Sequence, residues 1–382
     1  MSNAAKDRSC GQRRSSAKAR VVVLFGGQSD EHDVSLRSAQ TVIDALDRDR
    51  YDVIPVGITR EGRWLASGDP MARLTAVSPM FGLPDGPQEP PPVAEETPLA
   101  TIPVEVTGAA DVVFPVLHGP MGEDGTVQGL LELAGIPYVG AGVLGSALAM
   151  DKALTKTVLA QAGLPQLEWR LVPRRRWDAE PAVVSAWLED EIGFPCFTKP
   201  ANMGSSVGIS KVHDAAELPA AMDLAAHFDR RVIVERGVDG RELEVAILGN
   251  DNPIASVAGE IVPSNEFYDY NAKYIDDGSR LIVPAELDGE ELAYLQELAI
   301  QAFRALDLAG MARVDFFRER TTDRLFINEI NTLPGFTSIS MYPMLWEATG
   351  IPLPELVDRL IALALERAAE RRSGGGVGTY NM

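Results

Sequence analysis

Runs of consecutive apolar residues, separated by stretches of helical spacing, organise the first third of the chain. Residues 21–25 (VVVLF) and 53–59 are strand-sized, and between them residues 34–46 repeat apolar positions as one face of a helix does. Strand, helix, strand in that order predicts a parallel sheet. Residues 111–117 (DVVFPVL) read as a further central parallel strand, because both faces of such a strand are covered and few polar positions survive. A helix over 127–134 and a short strand over 137–139 close this first unit. A second unit begins near Gly140, with helices over 152–162 and 181–190, strands over 166–172, 196–199 and 209–212, and a glycine-bearing loop at 204–208. A third unit starts around 232–235, holds most of the remaining strands and ends in an amphipathic helix over 354–371. The pattern predicts an α/β chain, α+β in its C-terminal half. Residues 78–100 are proline-rich and predict a loop. The polar ends, 1–19 and 372–382, predict a disordered and a flexible tail. No internal repeat is visible.

Composition narrows the function. A length of 382 residues allows two or three domains. A formal charge of −20 excludes a general binder of nucleic acid or anionic membrane. Any phosphate substrate must be held by local positive charge against that field. Of the two cysteines, Cys10 lies in the polar tail and Cys196 in an apolar run, so a structural disulfide is not expected. No apolar stretch has signal-peptide or transmembrane length, which predicts a cytoplasmic protein. Only seven basic residues are lysines, against 28 arginines. In such a chain each lysine is worth inspecting as a point charge for phosphate.

The segment 325–340, LFINEINTLPGFTSIS, places Asn328, Glu329 and Asn331 in an otherwise apolar strand. A buried carboxylate is costly unless it is paired or binds a metal. The strand before it, MARVDFF (311–317), makes a hairpin with it. If the hairpin is centred on Thr322, Asp315 faces Glu329 and Arg313 faces Asn331. Opposed carboxylates repel unless a cation lies between them, and two carboxylates with an amide oxygen suit Mg²⁺. A register off by one would turn the acids to water instead.

Four further stretches carry candidate chemistry. FTKPANMGSSVGISKV (197–212) ends a strand in Lys199 and follows it with glycines that let backbone N–H groups approach phosphate; a plain Gly-Ser hairpin is the alternative. The loop GGQSDEHDVSL (26–36) is too acidic for phosphate and suits a cationic ligand such as an amino group. HGPMGEDG (118–125) leaves the end of a parallel strand, where ligands sit in such sheets. FYDYNAKYID (267–276) has the composition of a loop that folds over a site, or of an aromatic subunit contact. Two other stretches carry less. GAGVLG (140–145) matches a dinucleotide pattern but lacks the acidic residue that ribose binding needs, and reads as an inter-domain turn. VIVERGVDGRELEV (232–245) reads as a hairpin.

Together the motifs GGQSDEHDVSL, HGPMGEDGTVQG, AMDK, KPANMGSSVG, YDYNAKY and RVDFF…NEINTLPGFTSIS, in that order, resemble the ATP-grasp enzymes, closely the D-alanine–D-alanine ligases. The resemblance runs from about Arg20 to Arg371. It implies three domains: 20–140, binding the first substrate; 141–234, a central ATP-grasp subdomain; and 235–371, the catalytic domain. It implies that Lys152 and Lys199 contact ATP phosphates under the loop that holds Ser206. Glu235 to Val238 would offer backbone groups to adenine, and Glu242 would bind ribose. Asp315, Glu329 and Asn331 would hold two Mg²⁺ (or Mn²⁺) ions, and a monovalent cation is left open. Glu31 would take the ammonium of the first D-alanine near His118, in a hydrogen-bonded set with Ser205 and Tyr274. Lys273 would reach the transferred phosphate, and Ser340 and Met341 the second D-alanine's carboxylate. Arg313 and the N–H of Gly335 suit the oxyanion of the tetrahedral intermediate, a role worth about 3–4 kcal/mol per donor. The implied product is D-alanyl-D-alanine, for peptidoglycan precursors, and relatives imply a homodimer. A D-alanine–D-lactate ligase, an ATP-grasp carboxylase and a catalytically silent nucleotide sensor are the alternatives.

Overall fold

The structure is a computed structural model that describes residues 18–78, 103–108, 110–204, 206–263 and 280–373. The aromatic stretch 267–276 and nearly all of the expected tails and proline-rich loop lie outside those residues.

The first unit is built as its apolar runs require. It comprises β1 (Ala19–Gly26), α1 (His32–Ala45), β2 (Tyr51–Ile58), β3 (Trp64–Leu65), α2 (Pro70–Thr75), α3 (Val104–Thr107), β4 (Val112–Val116) and α4 (Thr126–Leu133). The sheet order is β3-β2-β1-β4, with β1 parallel to both neighbours. Alternation divides β1 between two cores. Val21, Val23 and Phe25 pack with Leu36, Ala39 and Val42 of α1. Val22 and Leu24 pack with Val127 and Leu131 of α4. All five are fully buried, which explains the unbroken VVVLF. The short strand expected at 137–139 reduces to a single bridge, Val113 to Tyr138.

The second unit holds α5 (Val143–Met150), α6 (Lys152–Gln161), β5 (Trp169–Pro173), α7 (Arg174–Ala179), α8 (Pro181–Glu191), β6 (Cys196–Pro200), β7 (Ser210–Val212), α9 (Leu218–Phe228) and β8 (Arg231–Arg236). Its antiparallel sheet has the order β5-β8-β6-β7. The third holds β9 (Gly240–Gly249), β10 (Ile254–Val262), β11 (Arg280–Ile282), α10 (Gly289–Ala305), β12 (Gly310–Glu319), β13 (Leu325–Asn331), α11 (Met341–Thr349) and α12 (Leu353–Ser373). Its order is β11-β10-β9-β12-β13, antiparallel throughout.

The hairpin expected over 232–245 does not form. β8 and β9 belong to different sheets, and residues 237–239 cross between them. Gly237 N donates to Pro195 O at 2.8 Å, and a Cβ at Gly237 would lie 2.7 Å from that oxygen. The crossing is pinned by backbone where the chain passes from one sheet to the next.

The third sheet joins the units. One face packs on α10 and on Ala149, Leu159 and Leu164 around α5 and α6. Through its other face Ala246, Leu248 and Met311 share a core with β1, α11 and α12. Phe336 sits edge-on to Phe114 and to Tyr342, with ring centroids 5.9 and 5.7 Å apart. At the junction Gly140 has φ +98°, and a Cβ there would press on Leu333 at 3.0 Å. Arg367 of α12 donates to Gly140 O at 2.6 Å and to Tyr138 O at 3.1 Å. GAGVLG is thus a clamped turn leading into α5.

Candidate active site

A cleft of about 580 Å³ opens where the three sheets meet. The ends of β1 and β4 deliver its first wall. Glu31, at the N-cap of α1, is largely buried. A Cβ at Gly119 would lie 2.9 Å from Glu31 Oε2, and one at Gly204 would lie 3.3 Å from it. The carboxylate therefore touches both the 118–125 loop and the glycine loop of the second unit. His118 Nδ1 donates to Leu333 O at 3.0 Å, and Nε2 is 3.4 Å from Ser38 Oγ. Ser38 Oγ also accepts from Phe336 N at 3.1 Å, which ties α1 to the segment after β13. Glu123 lies 3.8 Å from His118 and accepts from Gly119 N at 3.0 Å. Burial opposes a charged imidazole, but Glu123 outweighs it and raises the His118 pKa. Burial raises that of Glu123.

The second wall carries the lysines. Asp151 caps α6 by accepting from Leu154 N at 3.1 Å, which sets Lys152 at the first helical position. Lys152 Nζ donates to Met203 O at 2.6 Å, at the base of the glycine loop. In that loop Ser206 has φ +60° and Gly208 φ +72°. A Cβ at Gly208 would lie 2.6 Å from the Phe228 ring and 2.8 Å from Pro200. Lys199, ending β6, donates to Glu235 Oε2 at 2.5 Å and lies 3.4 Å from Asn328 Oδ1. Val238 and Glu242 line the cleft beside the crossing. Arg236 N, at the end of β8, and Gly237 N, at the start of the crossing, donate to Glu168 O at 2.9 Å and Pro195 O at 2.8 Å, so both backbone donors are already used.

The third wall is the β12–β13 hairpin. Its register is Arg313 to Asn331 and Asp315 to Glu329, as a turn centred on Thr322 requires. Nearer the turn the pairing slips by one, Phe316 to Ile327, and Asn328 is the extra residue. This bulge breaks the alternation and lets both Asn328 and Glu329 line the cleft. Arg313 makes two bonds of 2.7 Å to Asp315 and lies 3.1 Å from Glu244, which faces Asp315 from β9. Burial disfavours the guanidinium's charge, but Asp315 and Glu244 together raise its pKa well above normal. Asn331 Oδ1 accepts from Leu333 N at 3.1 Å. Asp315, Glu329 and Asn331 present hard oxygen donors, and the opposed carboxylates fit a divalent cation. Among the described residues no three His, Cys, Asp or Glu side chains gather to hold a metal by themselves. Such a set would rely on the Asn331 amide and on phosphate oxygens.

Beyond β13, Ser340 occupies the N-cap position of α11 and Met341 opens the helix; both line the cleft. Ser340 Oγ accepts from Thr337 N at 3.0 Å, and a Cβ at Gly335 would lie 2.7 Å from it. A side chain at 335 would displace the Ser340 hydroxyl. Ser205, Lys273 and Tyr274 lie outside the described residues. The structure thus gathers the other fifteen expected residues at one cleft. Glu123, Glu244 and Asn328, which sequence reasoning did not assign, line the same cleft, and Ser38 and Lys156 hold its lining residues from behind. Glu123, Glu244 and Asn328 lie in stretches that stand out in the sequence and Lys156 is one of its seven lysines; Ser38 alone carried no local signal.

This chain matches the models of the D-ala D-ala ligase N-terminus over residues 20–141 and of the D-ala D-ala ligase C-terminus over residues 158–362. It is 52% identical to a D-alanine--D-alanine ligase of Heliobacterium modesticaldum, over 93% of this chain and 97% of that one. A D-alanine--D-alanine ligase of Deinococcus radiodurans is 51% identical, over 91% and 99% of the two chains. Among solved structures, the D-alanine-D-alanine ligase from Coxiella burnetii superposes with a TM-score of 0.76 at 38% identity, over 93% and 96%. The VanG D-Ala:D-Ser ligase from Enterococcus faecalis superposes with a TM-score of 0.77 at 36% identity, over 91% and 100%. With the cleft described above, these matches over nearly the whole length make the chain a member of the D-alanine–D-alanine ligase family, of ATP-grasp fold.

Proposed function

We propose that this chain joins two D-alanines, with ATP converted to ADP and phosphate. A carboxylate is a poor acyl donor. Attack of the first D-alanine's carboxylate oxygen on the γ-phosphorus expels ADP and makes D-alanyl phosphate. The amine of the second D-alanine, having lost a proton, then attacks the acyl carbon. Phosphate leaves from the tetrahedral intermediate, and the amide remains.

The observation that carries this reading is the convergence at one cleft of three chemistries. Glu31 offers a buried carboxylate to an ammonium, Lys152 and Lys199 offer point charges to phosphates, and Arg313 stands beside the opposed Asp315 and Glu329. Glu31 and His118 orient the first amino acid. Lys152, Lys199 and the loop with Ser206 hold the triphosphate, while Glu235, Val238 and Glu242 receive adenosine. Asp315, Glu329 and Asn331 are the residues that would hold Mg²⁺ or Mn²⁺, which would neutralise phosphate charge. Arg313 and Gly335 N–H stabilise the oxyanion. Ser340 and Met341, at the N-terminus of α11, receive the second carboxylate. By family resemblance Ser205, Lys273 and Tyr274 complete the set. Residues 20–140, 141–234 and 235–371 act as three domains, in a cytoplasmic homodimer. In support, no helix among the described residues is long and apolar enough to cross a membrane.

The test is incubation with ATP, Mg²⁺ and D-alanine, with L-alanine as control. ADP, phosphate and a dipeptide in equal amounts, from the D-isomer alone, are expected. Nucleotide turnover without dipeptide would refute the reading. Because VanG, a D-Ala:D-Ser ligase, shares the fold, D-serine and D-lactate belong in the same assay as competing acceptors. D-alanine is expected to win.

A further inference from the structure

Lys156 has no place in the reading so far. It is 2% exposed and lies on α6, one turn beyond Lys152. Its ammonium is paired with Glu235 Oε1, and Lys199 holds the other oxygen of the same carboxylate at 2.5 Å. Glu235 itself is 1% exposed. One buried carboxylate thus bridges two ammonium groups. Lys199 and Glu235 line the cleft, whereas Lys156 stands behind them.

The charge arithmetic gives the triad a purpose. Glu235 and Lys199 alone would neutralise each other, and a neutral pair attracts a triphosphate weakly. With Lys156 behind it the group carries one net positive charge, and the side open to anions is the Lys199 side. Lys156 also shares the carboxylate, so Glu235 need not draw Lys199 inward to satisfy both of its oxygens. Burial lowers the Lys156 pKa and Glu235 pulls it back, as expected of an ammonium kept in a dry site by one partner.

We propose that Lys156 is a positioning residue for the nucleotide: through the shared Glu235 carboxylate it orients the Lys199 ammonium and keeps its charge directed at phosphate. This rests on the reading that Lys199 binds ATP.

Isothermal titration of the full chain with ATP and Mg²⁺ tests both layers, using Lys156→Met, Lys199→Met, the double variant and Lys156→Arg. Lys156→Met is expected to weaken ATP binding about 10-fold and Lys199→Met at least as much, the range of a charge-assisted contact. If Lys156 acts through Lys199, the double variant falls within about 2-fold of Lys199→Met, because contacts in one network do not add. A merely structural loss would multiply instead. Lys156→Arg, which keeps the charge, is expected to restore most of the affinity. Thermal melting verifies that each variant folds, and Lys156→Gln replaces Lys156→Met if that one does not. ATP binding unchanged in the folded position-156 variant, while Lys199→Met is weakened, overturns the inference. So do multiplying penalties. If Lys199→Met binds ATP as the wild type does, the nucleotide reading of Lys199 fails and the inference falls with it.

Discussion

Arg313→Met separates the electrostatics of the cleft from its chemistry. The guanidinium makes two bonds of 2.7 Å to Asp315 and lies 3.1 Å from Glu244, and its side chain is 18% exposed. Asp315 and Glu244 are both buried and face each other across the β9–β12 pair. Glu329 faces Asp315 from the other side. Methionine keeps much of the volume but removes the guanidinium charge that Asp315 and Glu244 face. Removing one partner of a buried ion pair costs about 3–5 kcal/mol. At roughly 1.2 °C per kcal/mol for a chain of this size, melting falls by about 4–6 °C. If the acids hold a divalent ion, Mg²⁺ at ten times its Kd returns about 1.4 kcal/mol, or roughly 2 °C. The gain is expected to be larger in the variant than in the wild type, where arginine already neutralises the site. The assay is thermal melting in chelated buffer and across a Mg²⁺ titration. A variant that melts within about 1 °C of wild type without Mg²⁺ would refute the ion-pair argument. A Mg²⁺ gain no larger than the wild type's would refute the metal argument. In steady-state kinetics the loss of an oxyanion donor is expected to lower kcat by about 10²–10³-fold.

Three further expectations concern the other walls. Glu31→Gln removes the charge that receives an ammonium, so the KM for D-alanine rises at least about 10-fold while the KM for ATP holds; equal effects on both would contradict the assignment. Gly208→Ala forces a side chain into φ +72°, 2.6 Å from Phe228. It is expected to disturb the glycine loop and raise the KM for ATP, and unchanged kinetics would remove that loop from nucleotide binding. For Glu235, burial alone would raise the pKa, but Lys156 and then Lys199 prevail and bring it from 4.5 to about 2. A carboxylate depressed in the folded state stabilises above its unfolded pKa and loses that effect as pH falls through the folded one. Stability is therefore expected to drop between pH 4.5 and about 2, and less steeply in Glu235→Gln. Parallel melting curves across that window would contradict it.

Much of the site was legible because its residues cluster in short motifs whose local geometry is fixed. Asp315 and Glu329 could be paired on paper, since antiparallel register follows from the turn. The pairing holds for a reason the sequence hides: the bulge at Asn328 compensates a one-residue slip nearer the turn. The crossing at 237–239 was misread because a glycine-rich turn between two strands looks the same whether they pair or diverge. What separates β8 from β9 is the backbone contact of Gly237 with Pro195, more than 40 residues away in sequence. The roles of Glu244 and Lys156 were hidden for the same kind of reason. Glu244 alternates with apolar residues on β9, and Lys156 sits in an ordinary helix. Their roles arise from partners on β12 and β8 that only the tertiary fold supplies.

The central claim is that the first D-alanine's carboxylate attacks the γ-phosphorus, so one of its oxygens must depart with phosphate. Turnover of D-alanine labelled with ¹⁸O in its carboxylate, followed by mass spectrometry of the inorganic phosphate, measures this directly. The account predicts one ¹⁸O transferred into phosphate for each dipeptide formed. Unlabelled phosphate accompanying dipeptide would contradict it.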